Sequence, residues 1–336
     1  MAMDKSAERI MQRRMHGLYL SRKCEDITQL SRDLLGMHCW FHRNVAFSAL
    51  IRGASLRGWK QALTKTWLYR GTLHGTVYEE LPILLALHSN KSSFAWLGVN
   101  EDQMRDITER VLSLMEDGVY SRAEMRRIFA YDYDEETIGR IFSPWGGIFV
   151  YLAHLGKVAF RDMTSRDFDL ISAEPRHTPD EVLPDLFRRF IAAYGPATLA
   201  DAAWFFGFWK DDRKKLSALD LDEFSRLEYG KNVYYSLDDH TDMGDIPELT
   251  LLSGFDPLIV SYTERGAVLP PESKRAVIMK SGICLPTIAV NGQVAGLWNI
   301  KKREPTLEFF TEQPKRIKDA AFDLVDNIRR QTAGIV

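Results

Sequence analysis

One pattern occurs three times along the chain: helices joined by a tight turn, followed by a two-stranded β segment. In the second occurrence Gly118 and Ser121 stand between two helical segments, and in the third Gly195 and Thr198 take the same place. Glycine ends a helix and serine or threonine caps the next one, so each pair marks a helix–turn–helix. The β-branched and aromatic residues that follow predict a hairpin. This order is typical of winged helix-turn-helix units; a generic helical array with β excursions is the alternative.

From about residue 245 the pattern changes to β structure. Asn291-Gly292 between two β runs is a strong signal for a two-residue hairpin turn. Short strands are predicted at 249–253, 276–279, 284–290, 293–300 and 307–310, and a last amphipathic helix at 315–331. We therefore expect an α+β fold, with tandem winged helix-turn-helix units and a small C-terminal β domain. The predicted modules are residues 1–95, 96–175, 176–245 and 246–336.

Composition excludes several classes of protein. Apolar residues are 45% and charged residues 27% of 336, the balance of a soluble globular chain. The longest clean apolar run, residues 81–88, is far shorter than the ~20 residues of a membrane-spanning helix. Residues 1–14 are charged and do not resemble a secretory signal. The three cysteines form no CxxC pair, so we expect neither disulfides nor structural zinc, and a cytoplasmic location.

The net charge of −2 hides an uneven distribution. Residues 1–75 carry 13 basic and 5 acidic residues, a net charge of +8. The remainder carries 31 basic and 41 acidic residues, a net charge of −10. A basic segment of this kind is typical of a phosphate-binding surface, and a solvated, mixed-charge helical face is the other interpretation.

Standard catalytic motifs are absent from the sequence, which has no GxGxxG after a strand, GxxxxGK[ST], HExxH or GxSxG. His38 and His42 have the spacing of two ligands on one helix face, but a metal site needs more donors. The segment from Trp67 to Gly75 places Arg70 and His74 around Gly71 in an extended stretch. Arg70 and His74 could contact a phosphate there, or Arg70 could pair with an acid while His74 is a capped surface residue.

Four segments, in order, resemble one family. They are WLYRGTLHGTVYEELPILL, YGPATLADAAWFFGF, LLSGFDPLIVSYTERGAV and CLPTIAVNGQVAGLWNIKKRE. Together they resemble the winged-helix DNA-binding-domain-containing family that includes the AlkZ- and YcaQ-type DNA glycosylases, over roughly residues 36–303. The resemblance implies a C-shaped, DNA-binding scaffold of tandem winged helices. It also implies removal of alkylated purines, including those in interstrand crosslinks, without metal or organic cofactor.

The resemblance also indicates where catalysis would occur. The family carries Gln-x-Gln or Gln-x-Asp after a glycine in an early helix; here His38 and Trp40 follow Gly36 in those positions. His38 could act as a base, whereas Trp40 could stack on a base or sugar. DNA is expected to contact the basic face of the first module and the basic cluster after the last hairpin. The predicted DNA-binding residues are Arg43, Arg52, Arg70, His74, Lys301, Lys302 and Arg303.

Three functions remain open from the sequence. The first is a DNA glycosylase of the DNA-repair type, a hydrolase of N-glycosidic bonds acting on double-stranded DNA as a monomer. The second is a non-catalytic DNA-binding protein on the same scaffold, a regulator or damage sensor. The third is a protein-interaction platform that has lost DNA binding, against which the +8 charge of the first 75 residues argues.

Overall fold

The computed structural model describes residues 4–88, 97–209, 212–237 and 243–334, and it mixes helices with antiparallel strands. The chain divides into two compact units. The first unit combines Met1–Trp59 with Pro184–Val336, and the second is the continuous stretch Lys60–Leu183. The four predicted modules are smaller than these units. Their division stays a prediction, and its boundary at residue 95 lies outside the described residues.

The secondary structure alternates between helical stretches and short antiparallel strands. The helices are α1 (Lys5–Gly17), α2 (Ile27–Asp33), α3 (His42–Ile51), α4 (Trp59–Ala62), α5 (Leu81–Ala86), α6 (Glu101–Glu116), α7 (Arg122–Phe129), α8 (Glu135–Ile141), α9 (Ile148–His154), α10 (Pro179–Tyr194), α11 (Leu199–Phe206), α12 (Asp212–Ser217), α13 (Pro257–Val260), α14 (Lys274–Val277) and α15 (Lys315–Thr332). The strands are β1 (Met37–His38), β2 (Thr64–Trp67), β3 (Leu73–Thr76), β4 (Val158–Phe160), β5 (Phe168–Leu170), β6 (Ser225–Tyr229), β7 (Asn232–Ser236), β8 (Leu249–Leu252), β9 (Thr287–Val290), β10 (Gln293–Lys301) and β11 (Glu304–Phe309).

The helix caps predicted at Ser121 and Thr198 are confirmed, and Asp26 caps helix α2 in the same way. The Asp26 side chain accepts a hydrogen bond from the Thr28 amide at the start of α2. Ser121 accepts from the Glu124 amide at the start of α7, and Thr198 forms a capping box with Asp201 at α11. These side chains satisfy amides that have no partner within the helix, which fixes where each helix begins.

Helix α2 ends earlier than the sequence pattern predicts. The apolar spacing predicts a helix over residues 27–40, but α2 stops at Asp33. Leu35 and Gly36 then adopt positive φ angles of 55° and 99°, which an α-helix cannot accommodate. His38 therefore lies in strand β1 while His42 begins α3, so the prediction of two histidines on one helix face is wrong.

The described part of the second unit, which leaves out residues 89–96, contains helical stretches and two hairpins. Strands β2 and β3 pair with Thr66 opposite His74, so the β segment predicted over 66–78 is confirmed as a hairpin. Strands β4 and β5 form the second hairpin. Helices α6 to α9 enclose a core with fully buried Ile107, Phe129 and Phe149. Helices followed by a hairpin agree with the predicted order, and the winged-helix assignment stays a prediction.

The C-terminal sheet belongs to the first unit, and its strands run antiparallel in the order β11-β10-β9-β8. Helix α15 packs against it, because Ala321 and Val325 share a buried cluster with Trp298 of β10 and Phe47 of α3. The turn between β9 and β10 has φ angles of 48° at Asn291 and 79° at Gly292. Positive φ at both positions confirms the predicted two-residue hairpin.

The strand predicted at residues 276–279 is wrong. Residues Pro271–Ser273 form a 3-10 turn that leads directly into helix α14. Proline fixes φ near the helical value, so the turn and helix override the β preference of Val277, whereas Ile278 is extended and forms an isolated bridge with Cys284. Within the described ranges, no helix is long and apolar enough to cross a membrane.

Candidate functional site

His38 is half-buried in strand β1 of the first unit. Its imidazole stacks on the phenyl ring of Phe255, with ring centroids 5.6 Å apart and planes inclined by 22°. Trp40, two residues further, is also half-buried. One face of the imidazole is therefore covered by an aromatic ring from a distant part of the chain.

Phe255 is held in an unusual backbone conformation. Its φ angle is 57°, a region that side chains with a Cβ rarely adopt. The next residue, Asp256, is fully buried, and its carboxylate accepts hydrogen bonds from the Ser253 and Leu258 amides, each at 3.1 Å. These bonds fix the loop on both sides of Phe255. The loop backbone therefore fixes the place of Phe255, whose ring covers His38.

Arg52 supports this loop from the interior of the protein by pairing with Asp256. Its guanidinium donates to both carboxylate oxygens of Asp256, at 3.1 and 3.0 Å, and its Nε donates to the Leu18 carbonyl at 2.8 Å. The side chain is 0% exposed. A buried carboxylate needs a paired cation, and Arg52 supplies it. The structure therefore places Arg52, a predicted DNA contact, in the protein interior, and the contact itself stays a prediction.

Asn44 lies beside the same loop. It is buried in the first turn of α3, and a Cβ built on Gly254 would come within 3.0 Å of its amide nitrogen and oxygen. Gly254 therefore leaves room for the Asn44 amide, because a Cβ at this position would require the amide to shift by a few tenths of an ångström. Sequence reasoning missed Asn44, Phe255 and Asp256 as site residues. The only signal was the Gly-Phe-Asp run, whose partners on α3 lie about 200 positions away.

Arg70 and His74 lie in the second unit. Arg70 is half-buried in the turn between β2 and β3, with a φ of 55°. His74 is 3% exposed; its Nδ1 donates to the Thr72 carbonyl at 3.0 Å, and its ring meets Tyr69 edge to face. Burial lowers the pKa of His74 to about 3, so the ring is neutral. Strand β3 directs the His74 side chain inward, and the DNA contacts of His74 and Arg70 both stay predictions.

The remaining predicted DNA-binding residues are exposed on the first unit. Arg43 lies in the first turn of α3, with its guanidinium 5.7 Å from the centre of the Phe41 ring. Lys301 ends β10 opposite Glu304, and Lys302 and Arg303 form the two-residue turn to β11. Solvent reaches all four basic side chains. Their charges are thus available to a polyanion. The DNA contacts of these four residues stay predictions.

The arrangement offers an imidazole stacked on the Phe255 ring and a buried carboxamide, Asn44, packed against the neighbouring Gly254. An imidazole can take up or release a proton near neutral pH, and a carboxamide can both donate and accept hydrogen bonds. Among the described residues, no group of three or more His, Cys, Asp or Glu side chains is placed to hold a metal ion.

Known proteins match this chain over most of its length. The family model described as DNA glycosylase AlkZ-like matches residues 59–326, so His38 and Trp40 precede the matched stretch. An interstrand DNA cross-link repair glycosylase of Streptomyces sahachiroi is 28% identical over 268 residues, covering 72% of each chain. The solved structure of Streptomyces sahachiroi DNA glycosylase AlkZ aligns with a TM-score of 0.77 at 25% identity, over 98% of both chains. Agreement over this much of the sequence and fold identifies the family: the chain belongs to the AlkZ-like DNA glycosylases.

Proposed function

We propose that this protein is a DNA glycosylase that releases alkylated purines from double-stranded DNA, including purines joined in interstrand cross-links. The observation that carries the proposal is the agreement with AlkZ over 98% of both chains. The curated relative with 28% identity is an interstrand DNA cross-link repair glycosylase, which supports the same substrate class.

His38 is the proposed catalytic residue. Cleavage of an N-glycosidic bond passes through a sugar with oxocarbenium character, and it needs a water that is positioned and deprotonated. A neutral imidazole can accept that proton. The Phe255 ring, 5.6 Å away, holds the imidazole plane in one orientation. Trp40 contributes a stacking surface for a base or sugar, because its indole can stack but cannot transfer the proton.

The residues proposed to contact DNA are Arg43, Lys301, Lys302 and Arg303 of the first unit and Arg70 of the second unit. The first four are exposed and Arg70 is half-buried. Guanidinium and ammonium groups bind phosphate oxygens through charge-assisted hydrogen bonds, which position a protein on DNA without reading its sequence.

The test is base release from DNA carrying N7- and N3-alkylpurines and from cross-linked DNA. His38→Ala should lower the rate by about 100-fold or more, the usual contribution of a general base. His16→Ala is the matched control, because His16 is a half-buried histidine of the same unit, on α1. It should release base at the wild-type rate, and all three proteins should bind DNA equally.

A second function, DNA binding without catalysis, is favoured by the sequence resemblance, which implies that His38 and Trp40 take the positions of the family's Gln-x-Gln pair. The variant His38→Gln with Trp40→Gln restores that pair. It should raise base release if the surrounding site is competent. If wild type and this variant bind alkylated DNA and neither releases a base, the protein is a non-catalytic relative.

A further inference from the structure

The indole of Trp145 is displayed at the tip of a tight turn in the second unit. It is 71% exposed, although tryptophan usually buries most of its large apolar surface. The Gly146 amide donates to the Ser143 carbonyl at 3.0 Å, and the Trp145 amide donates to Ser143 Oγ at 3.3 Å. Pro144 precedes the tryptophan in this turn. The hydrogen bonds and the proline define the backbone of the turn that carries the indole.

Two glycines anchor the turn to the core beneath it. Gly146 and Gly147 have φ angles of 140° and 62°. A Cβ on Gly146 would lie 2.2 Å from the Val150 side chain, and a Cβ on Gly147 would lie 1.9 Å from the Ile141 carbonyl oxygen. Only glycine fits at either position. The backbone that carries Trp145 is thus fixed by close packing.

A cation lies directly under the turn. Arg122 Nη1 donates to the Pro144 carbonyl at 3.4 Å, and its guanidinium lies 5.4 Å from the ring centres of both Phe149 and Phe168. Burial lowers the pKa of this half-buried side chain. Among the residues that the structure describes, no carboxylate pairs with it, and its buried Nε has no hydrogen-bond partner. Arg122 therefore carries a charge that no carboxylate of the described ranges neutralises.

We propose that Trp145 and Arg122 form a subsite for one unpaired nucleotide of DNA, whose base stacks on the indole and whose phosphate binds the guanidinium. The inference rests on the proposed function, since the ligand is DNA. An exposed indole stacks on any base, and arginine is well suited to phosphate. A base inside a duplex is covered on both faces by its neighbours. The indole can therefore stack only on a nucleotide that has left the base stack.

The same unit provides a matched control in Tyr131, which is 92% exposed. Acidic residues surround Tyr131 in the sequence: Asp132, Asp134, Glu135 and Glu136. Their negative charge disfavours DNA, so an aromatic ring at this position should not act as a nucleotide subsite.

The experiment measures the affinity of the full-length protein for a labelled duplex with one unpaired thymine and for the fully paired duplex. Trp145→Ala should weaken binding to the thymine-bulged duplex by about 5- to 100-fold, the usual effect of removing one stacking ring. Its affinity for the paired duplex should not change. Trp145→Phe should keep most of the affinity, Arg122→Gln should lose affinity for the bulged duplex, and Tyr131→Ala should match wild type.

Two results would overturn the subsite. In the first, Trp145→Ala binds both duplexes like wild type, and in the second it is weakened equally toward both. Either result shows that the indole does not select an unpaired nucleotide. Thermal unfolding of Trp145→Ala and Trp145→Phe at the wild-type temperature confirms that the fold is intact. A wild-type protein that binds neither duplex would instead refute the proposed function, and the subsite with it.

Discussion

Arg43 and Arg52 stand at opposite ends of helix α3, and their surroundings give them different roles. Arg43 is exposed in the first turn, whereas Arg52 is fully buried against Asp256. Two histidines differ in the same way: His38 is half-buried against Phe255, and His74 is buried in a hairpin. A residue type indicates which chemistry is available. The surrounding contacts decide whether a ligand can reach it.

Burial of His74 makes a prediction about acid stability. Its pKa is about 3 in the folded protein, against an ordinary value of 6.5. The unfolded chain therefore takes up a proton below about pH 6.5 that the folded chain does not, and stability is lost as the pH falls from there toward 3. The loss should approach about 1.4 kcal/mol per pH unit. Urea unfolding of wild type at a series of pH values measures it.

His74→Gln provides the comparison, because glutamine keeps a hydrogen-bonding side chain and does not titrate. Its free energy of unfolding should depend less steeply on pH than that of wild type between about pH 6.5 and 3. Parallel curves for the two proteins would mean that His74 takes up a proton in the folded protein over the same pH range as in the unfolded chain.

At the scale of elements, strand β10 is bounded by two similar turns with dissimilar residues. Asn291 and Gly292 precede it, and both residue types tolerate positive φ. Lys302 and Arg303 follow it with φ angles of 50° and 67°, which cost free energy for residues with long side chains. Lysine and arginine in this strained turn therefore lower the free energy of unfolding. Their positive charges would favour contact between this turn and a phosphate.

Exchanging this turn should separate stability from binding. The variant Lys302→Asn with Arg303→Gly places the residues of the first turn into the second. It should raise the free energy of unfolding by about 1 kcal/mol, because the left-handed conformation becomes less costly. It should also weaken binding to duplex DNA. Chemical unfolding and a DNA titration give the two values; unchanged DNA affinity would remove this turn from the proposed surface.

Features set by neighbouring residues could be predicted from the sequence. The Asn291-Gly292 turn and the caps at Ser121 and Thr198 depend on side chains within a few positions. The length of α2 could not be predicted from the sequence, because Leu35 adopts a positive φ that its residue type disfavours. The pairing of Arg52 with Asp256 could not be predicted either, because these residues are 204 positions apart in the sequence. The resemblance found the family, and the distant contacts then decided which basic residues are accessible.

At the scale of the molecule, charge is divided between the two units. The first unit, Met1–Trp59 with Pro184–Val336, has 30 basic and 27 acidic residues, a net charge of +3. The second unit, Lys60–Leu183, has 14 basic and 19 acidic residues, a net charge of −5. Phosphate binding is thus expected mainly on the first unit, with local exceptions such as Arg122.

The salt dependence of DNA binding tests this division. Arg43→Gln with Lys301→Gln removes two exposed charges of the first unit. For each phosphate that is no longer neutralised, the slope of log affinity against log salt should become shallower by about 0.9. Arg127→Gln with Arg166→Gln removes two exposed charges of the second unit and is the matched control. It should change the slope little; an equal effect of both pairs would place phosphate binding on both units.

The first unit is built from two separate stretches of chain, with the second unit inserted between them. On the ribosome, Arg52 therefore emerges 204 residues before Asp256, the carboxylate that it pairs with. At about 5–20 residues per second this delay is roughly 10–40 s. The continuous second unit has all of its residues first, so it can fold during synthesis. The stretch that carries His38 and Arg43 must wait for the C-terminal sheet.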